Sequence, residues 1–295
     1  MTSTLGNLQT RFLQLISLVA GRAYVPSENL DGALLVAKRL ASQNIPCTIG
    51  YYNNNYRAIT SENMIDISCK MIAALADLDP KGYISVKAPD FDFDPDVLSM
   101  IAATAQKLGI LVHFDSHDIR QADQEQACAR QMQALGAAVS QSIPGCWLRS
   151  VADAEQAAQL GMRIRVVKGL WADPAAPDID MRTAYLQIID TIAGKAPEVA
   201  IATHDAWLAR ESILRLQAAG TACELELLYG LPSRAIYALA KEYSVPVRVY
   251  IPFGFAWQPY ALEKFAKNPR ILAWVARDFF AGLISLCSAP KSDKK

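Results

Sequence analysis

Eight short apolar runs, most of them closed by a polar or charged residue, constrain this chain more than any other feature. They are PCTIGYY at Pro46–Tyr52, YISVKA at Tyr83–Ala88, GILVHFD at Gly109–Asp115 and AAVSQS at Ala137–Ser142. RIRVVKG at Arg163–Gly169, EVAIATH at Glu198–His204, ELELLYG at Glu224–Gly230 and VRVYIPFG at Val247–Gly254 complete the set. The stretches between them are rich in Ala, Leu, Gln and Glu at helical spacing. Parallel strands buried on both faces read as near-continuous apolar runs and are joined by crossover helices. Eight such units predict an α/β fold, a (β/α)8 TIM-type barrel, whose active site lies at the C-terminal strand ends. Those ends carry Lys87, Asp115, Gln141, Arg165, Lys168, His204, Glu226 and Tyr250. Such a ring of polar groups is the layout of an enzyme.

A barrel of this type takes about 250 residues as one domain, which divides the chain simply. Residues 1–45 form an N-terminal helical segment packed on the barrel, residues 46–286 the barrel, and residues 287–295 a solvated tail. SENLDGALLVAKRLASQ, from Ser27, carries a helix-start signal and apolar residues at helical spacing; SENMIDISCKMIAALADL, from Ser61, repeats that opening. The 29 basic and 29 acidic residues cancel, against the basic excess usual in nucleic-acid binders. Six scattered cysteines form no CxxC pair, and three histidines give no zinc-ligand spacing. Cys47 and Cys223 fall in strands and read as buried reduced thiols, which points to the cytoplasm. FLQLISLVAG at Phe12–Gly21 and FFAGLISLC at Phe279–Cys287 are shorter than the ~20 residues a spanning helix needs. The second could make a peripheral membrane contact.

Two loops and a cluster of charges stand out. PDFDFDPD at Pro89–Asp96 offers oxygen ligands for a hard cation, but a polar loop with Phe anchors and a helix-capping Asp accounts for it better. HFDSH at His113–His117 raises a similar question, and too few histidines exist to complete a metal shell; no metal site is expected. WADPAAPDID at Trp171–Asp180 is an irregular, proline-rich loop suited to lining a site. In the fifth run Arg163, Arg165 and Val167 share one face. Arg165 then points into the barrel, where a purely structural reading would pair it with Asp115. Buried charges are costly unless paired or used, so several converging on one mouth favour a site. His204 precedes the helix starting near Ala206, and a helix N-terminus favours anions.

The segments RIRVVKGLW, IATHDAWL, CELELLYGLP and VRVYIPFGFAWQPYALEKFAKNP resemble, in order and on consecutive strands, RLVKGAY, ATHN, EFQ-x-LYG and VRVY-x-P-x-G of the proline dehydrogenase family. ISVK at Ile84–Lys87 and FDS at Phe114–Ser116 are weaker matches in the right places. That family comprises FAD-dependent (β/α)8 enzymes that oxidise L-proline to pyrroline-5-carboxylate. The resemblance covers nearly all of the expected barrel. It implies FAD as cofactor, with Arg165 beside the reactive flavin nitrogen and Gln141, Lys168, Gly169, Thr203, His204 and Glu226 along it. It implies Lys87, Asp115, Leu228 and Tyr250 around the substrate, a small amine or imino acid, and a quinone or other electron acceptor.

The chain departs from the pattern at three places. Where the family carries adjacent arginines to clamp the proline carboxylate, this chain has Glu263 and Lys264; a lysine offers only a point charge, and a glutamate repels the anion. Trp171 replaces the Tyr of KGAY, and Glu226 replaces the Gln of EFQ. An ionised Glu226 would oppose charge building up on a reduced flavin unless protonated or paired. Three accounts follow: a divergent proline dehydrogenase repaired by Lys264 or Lys87, a changed substrate whose second cationic group meets Glu263, or a catalytically inactive ligand-binding relative. A separate reading is a Schiff-base lyase using Lys87 or Lys168.

Overall fold

The computed structural model describes residues 26–52, 60–79, 81–116, 118–169, 172–231 and 233–254. Trp171, Glu263 and Lys264 lie outside them, as do His117, the 287–295 tail and both short apolar segments. Within the described residues eight parallel strands close on themselves in sequence order. They are β1 (Cys47–Tyr52), β2 (Tyr83–Val86), β3 (Leu111–Phe114), β4 (Val139–Pro144), β5 (Arg163–Val167), β6 (Glu198–Ala202), β7 (Ala222–Leu228) and β8 (Val247–Gly254). The eight-run reading of the sequence is thus the observed barrel.

Helix α1 (Leu30–Ala41) precedes β1, and its cap is Asn29, whose side chain accepts from the Gly32 N–H, rather than Ser27. α1 packs against β8 and β1, covering the seam where the barrel closes. Seven helices then connect consecutive strands: α2 (Ser61–Leu78), α3 (Pro95–Leu108), α4 (Ala122–Ala134), α5 (Ser150–Gln159), α6 (Met181–Ile192), α7 (Ala206–Ala218) and α8 (Arg234–Tyr243).

Helical periodicity supplies the faces that bury the outer side of the sheet. In α3 Val97, Leu98, Ile101, Ala102 and Ala105 are buried, and in α6 Ala184, Tyr185, Ile188, Ile189 and Ile192 are. Each large apolar side chain buried in this way contributes about 1.5–3 kcal/mol. Tyr185 also donates its hydroxyl to the Val166 carbonyl at 2.9 Å, which ties α6 to β5.

The Pro89–Asp96 loop follows the capping account. Phe91 is buried and Asp94 caps α3, accepting from the Asp96 N–H at 2.8 Å. Among the described residues no group of three or more His, Cys, Asp or Glu side chains could hold a metal, and no helix is long and apolar enough to cross a membrane.

Candidate active site

Register decides which side chains enter the barrel, because paired residues of neighbouring parallel strands share a face. One row runs Ser85, His113, Ser140, Arg163; another runs Ser142, Arg165, Ala200, Glu224. Glu226 pairs with Arg248, and Thr48 with both Tyr83 and Tyr250. The result is an interior filled with charge instead of the branched apolar layers common in such barrels.

At its lower end Arg248 donates to both Glu224 oxygens, at 2.5 and 3.2 Å, and to the Cys47 and Lys81 carbonyls. Arg163 also bonds Glu224 and reaches the Tyr83 hydroxyl at 3.0 Å. The ring of Tyr83 is the hub of this layer, with the Arg248, Arg163 and Arg165 guanidiniums 4.3, 4.9 and 5.8 Å from its centroid.

Glu226 and Arg165 occupy the middle. The Glu226 carboxylate accepts from Arg165 Nη2 at 2.6 Å and Nε at 2.8 Å, from Tyr83 Oη at 2.6 Å and from Thr48 Oγ1 at 2.7 Å. Each residue is only 3% exposed, and a buried ion pair holds only when its remaining donors and acceptors are met. Burial pushes the Glu226 carboxyl up, but Arg165, with Arg163 and Arg248 beyond it, draws it down to about 2. Glu226 is therefore ionised and paired.

Arg165 continues upward. Its Nη1 donates to Asp115 Oδ1 at 2.8 Å, and its guanidinium lies 5.1 Å from the Tyr250 ring. Asp115 accepts from Tyr250 Oη at 3.0 Å and stands 3.7 Å from Lys87 Nζ. Burial raises the Asp115 carboxyl, but the His113 hydrogen bond and the charges of Lys87 and Arg165 outweigh it and hold it well below the usual range. Lys87 also donates to the Tyr51 carbonyl at 3.1 Å and sits 4.0 Å over the Tyr52 ring. Lys87 and Asp115, just past the ends of β2 and β3, and Arg165 and Tyr250, within β5 and β8, thus form one connected cluster. Gly50 makes room for it: a Cβ there would stand 2.1 Å from the Tyr250 hydroxyl oxygen.

The β5–β6 side of the rim is more open. Lys168 donates to Asp205 at 3.0 Å, and Arg182 reaches the same oxygen at 2.7 and 3.0 Å. Asp205 caps α7 and donates its own N–H to the Thr203 hydroxyl. His204 Nε2 accepts the Leu228 N–H at 3.0 Å, so this ring fastens β6 to β7. Gly169 has φ +86°, and a Cβ there would collide with Cys146 Sγ at 2.2 Å, so this turn requires glycine.

Gln141 requires a correction. It pairs with Phe114 and Ile164, on the face opposite Ser140 and Ser142. With Phe114, Ala122 and Trp147 it lines a small cavity on the helix side of the sheet. β4 runs on to Pro144, so Gln141 is not a strand end and its side chain does not face the mouth. His113, considered above for a metal, is instead completely buried between Ser140 and Ser142, each at 2.9 Å. Burial, and then the Arg165 charge, lower its pKa to about 4.

Tyr83, Thr48, Glu224 and Arg248 are absent from the sequence-derived site. For three of them the signal is strand alternation: Glu224 stands two residues before Glu226, Arg248 two before Tyr250 and Tyr83 four before Lys87, polar positions sharing one face of otherwise apolar strands.

Fold and site together define a (β/α)8 enzyme barrel with an ionic interior and a basic, polar mouth. No family model matches the chain. Its sequence is similar to those of several proline dehydrogenases. It is 24% identical to proline dehydrogenase 1 of Bacillus subtilis over 279 residues, 88% of this chain and 90% of that protein. Proline dehydrogenase 2 of the same organism is 25% identical over 280 residues, 88% of this chain and 89% of its own length. A Deinococcus radiodurans proline dehydrogenase is 31% identical over 143 residues, 45% of each chain. The fold matches proline utilization A (PutA) of Bdellovibrio bacteriovorus with TM-score 0.69 and 14% identity over 85% of this chain. The chain spans 33% of the length of that PutA.

Proposed function

We propose that this chain is an FAD-dependent dehydrogenase of the proline dehydrogenase type. It would pass a hydride from the carbon beside the nitrogen of a proline-like imino acid or another amine to FAD, and loss of the N–H proton to solvent would leave an imine. The Lys87–Asp115–Arg165–Tyr250 cluster carries the reading, set at the mouth of a barrel that aligns with named proline dehydrogenases along almost its whole length.

The donor set suits a flavin dinucleotide. Lys168, Thr203 and His204 stand beside the N-terminus of α7, where Lys168 and Arg182 together exceed Asp205 by one positive charge and suit an anionic linker. Lys87 and Arg165 provide the cations that a ring gaining negative charge requires. FAD, when bound, supplies the hydride acceptor. The protein supplies position and charge. Asp115 holds Arg165 with one oxygen and Tyr250 with the other, so two inward-facing side chains of different strands are fixed by a single carboxylate. Lys87 is held from three sides, which keeps its ammonium at the mouth with little freedom to move.

Glu263, Lys264 and Trp171 give the substrate its distinction. A Glu–Lys pair in place of two arginines weakens recognition of a bare carboxylate and favours a substrate with a second cationic group. The electron acceptor is a quinone or another oxidant, and the reduced-thiol cysteines support a cytoplasmic site of action. The lyase reading is disfavoured by the contacts of Lys87, whose nitrogen is engaged by an anion and a carbonyl, partners that hold an ammonium.

The test is protein expressed with excess FAD. A flavin spectrum and thermal stabilisation by FAD are expected. Protein that takes up no FAD, or that borohydride couples covalently to a carbonyl substrate through Lys87 or Lys168, would overturn the assignment.

A further inference from the structure

The Arg165–Glu226 pair does more than fill the barrel. Arg165 is the cation placed to act on a ring at the mouth, yet Glu226 takes two of its nitrogens side-on, and Tyr83 and Thr48 fix the carboxylate from the other side. With Asp115 on the third nitrogen and Lys87 3.7 Å beyond, two cations meet two anions. The four groups sum to zero.

We infer that Glu226 is a positioning residue that locks Arg165 in place and cancels its charge, setting the redox poise of an electron-accepting ring bound at the mouth. This rests on the flavin reading above. Removing the carboxylate charge leaves Arg165 with a surplus that favours the reduced, more negative ring. Removing both members of the pair restores the original sum. A residue serving the fold alone would change stability in both cases and leave the potential where it was.

The experiment is the midpoint potential of bound FAD, read by spectroelectrochemical titration of wild type, Glu226→Gln and the double variant Arg165→Gln with Glu226→Gln. The potential is expected to rise in Glu226→Gln and to return close to wild type in the double variant. Should Glu226→Gln fail to fold, Arg165→Gln takes its place and its potential is expected to fall below wild type; an unchanged potential there would overturn the inference, because a double variant at the wild-type potential is also what a purely structural pair would give. A double-variant potential well below wild type would mean that Arg165 acts uncancelled, and would overturn the inference. So would an unchanged potential in a folded Glu226→Gln protein, or a double variant that cannot fold, which would assign the pair to the fold alone. Wild-type protein that binds no FAD is a separate result: it refutes the proposed function and takes this inference with it.

Discussion

Replacing Arg165 with Met tests the ionic interior most severely. The sequence alone suggests that the fold is retained and that flavin reduction slows. The structure adds a cost in stability to that expectation. Arg165 supplies two of the four hydrogen bonds to Glu226 and holds one oxygen of Asp115. Without it Glu226 keeps Tyr83 and Thr48 but loses the cation in contact with it. Breaking a buried pair by deleting one partner costs about 3–5 kcal/mol. The Glu226 carboxyl points the same way: the arginines around it draw it from an ordinary 4.5 to about 2, so its ionised form favours the folded state at neutral pH. Because the folded value is depressed, that contribution is fully present above the ordinary value and fades as pH falls toward 2. Urea unfolding at neutral pH is the assay. Arg165→Met should lose about 3–5 kcal/mol, and adding Glu226→Leu should recover most of it, since replacing both members of a buried pair with apolar groups is often neutral. A single variant losing less than about 1 kcal/mol, or a double variant no better than the single, would refute the reasoning.

Two further outcomes follow from particular contacts and a third from the sequence. His113 is held neutral, with its pKa lowered from 6.5 to about 4, so the unfolded chain binds a proton that the folded chain refuses, and stability should fall as pH drops through that window. His113→Asn should flatten the decline in urea stability measured over the same range, and an unchanged slope would contradict this. Gly50→Ala should cost about 1–3 kcal/mol by overpacking, because the new methyl meets the Tyr250 ring and hydroxyl; a urea midpoint equal to wild type would show that Tyr250 can step aside freely. Glu263→Arg with Lys264→Arg, with and without Trp171→Tyr, should improve proline binding about tenfold or more through charged hydrogen bonds. Efficient proline turnover by the unaltered chain would instead make it a divergent proline dehydrogenase.

The fold was legible because the strands of a closed parallel barrel are buried on both faces and leave unbroken apolar runs. Boundaries were less so. β4 was expected over Ala137–Ser142 but is Val139–Pro144, since Pro144 at the end of a strand forfeits only an N–H bond and can still pair with Val167. Gln141 therefore lies inside the strand, and alternation, which a two-residue drift leaves unchanged, sets it on the face opposite Ser140 and Ser142. Arg165 and its partner Asp115 were readable from strand alternation. The bond from Arg165 to Glu226 was not, because it joins residues 61 positions apart that meet only when the barrel closes. Tyr83 was hidden for a different reason: an aromatic that opens a strand reads as core until three arginines are seen around it.

The central claim is tested most directly by mixing FAD-loaded protein, without oxygen, with L-proline and a panel of cyclic and acyclic amines while following the flavin absorbance. The account predicts bleaching by at least one amine, with L-proline a poor reductant beside one that carries a second cationic group. Flavin that stays oxidised with every amine would contradict the dehydrogenase assignment and leave a ligand-binding relative in its place.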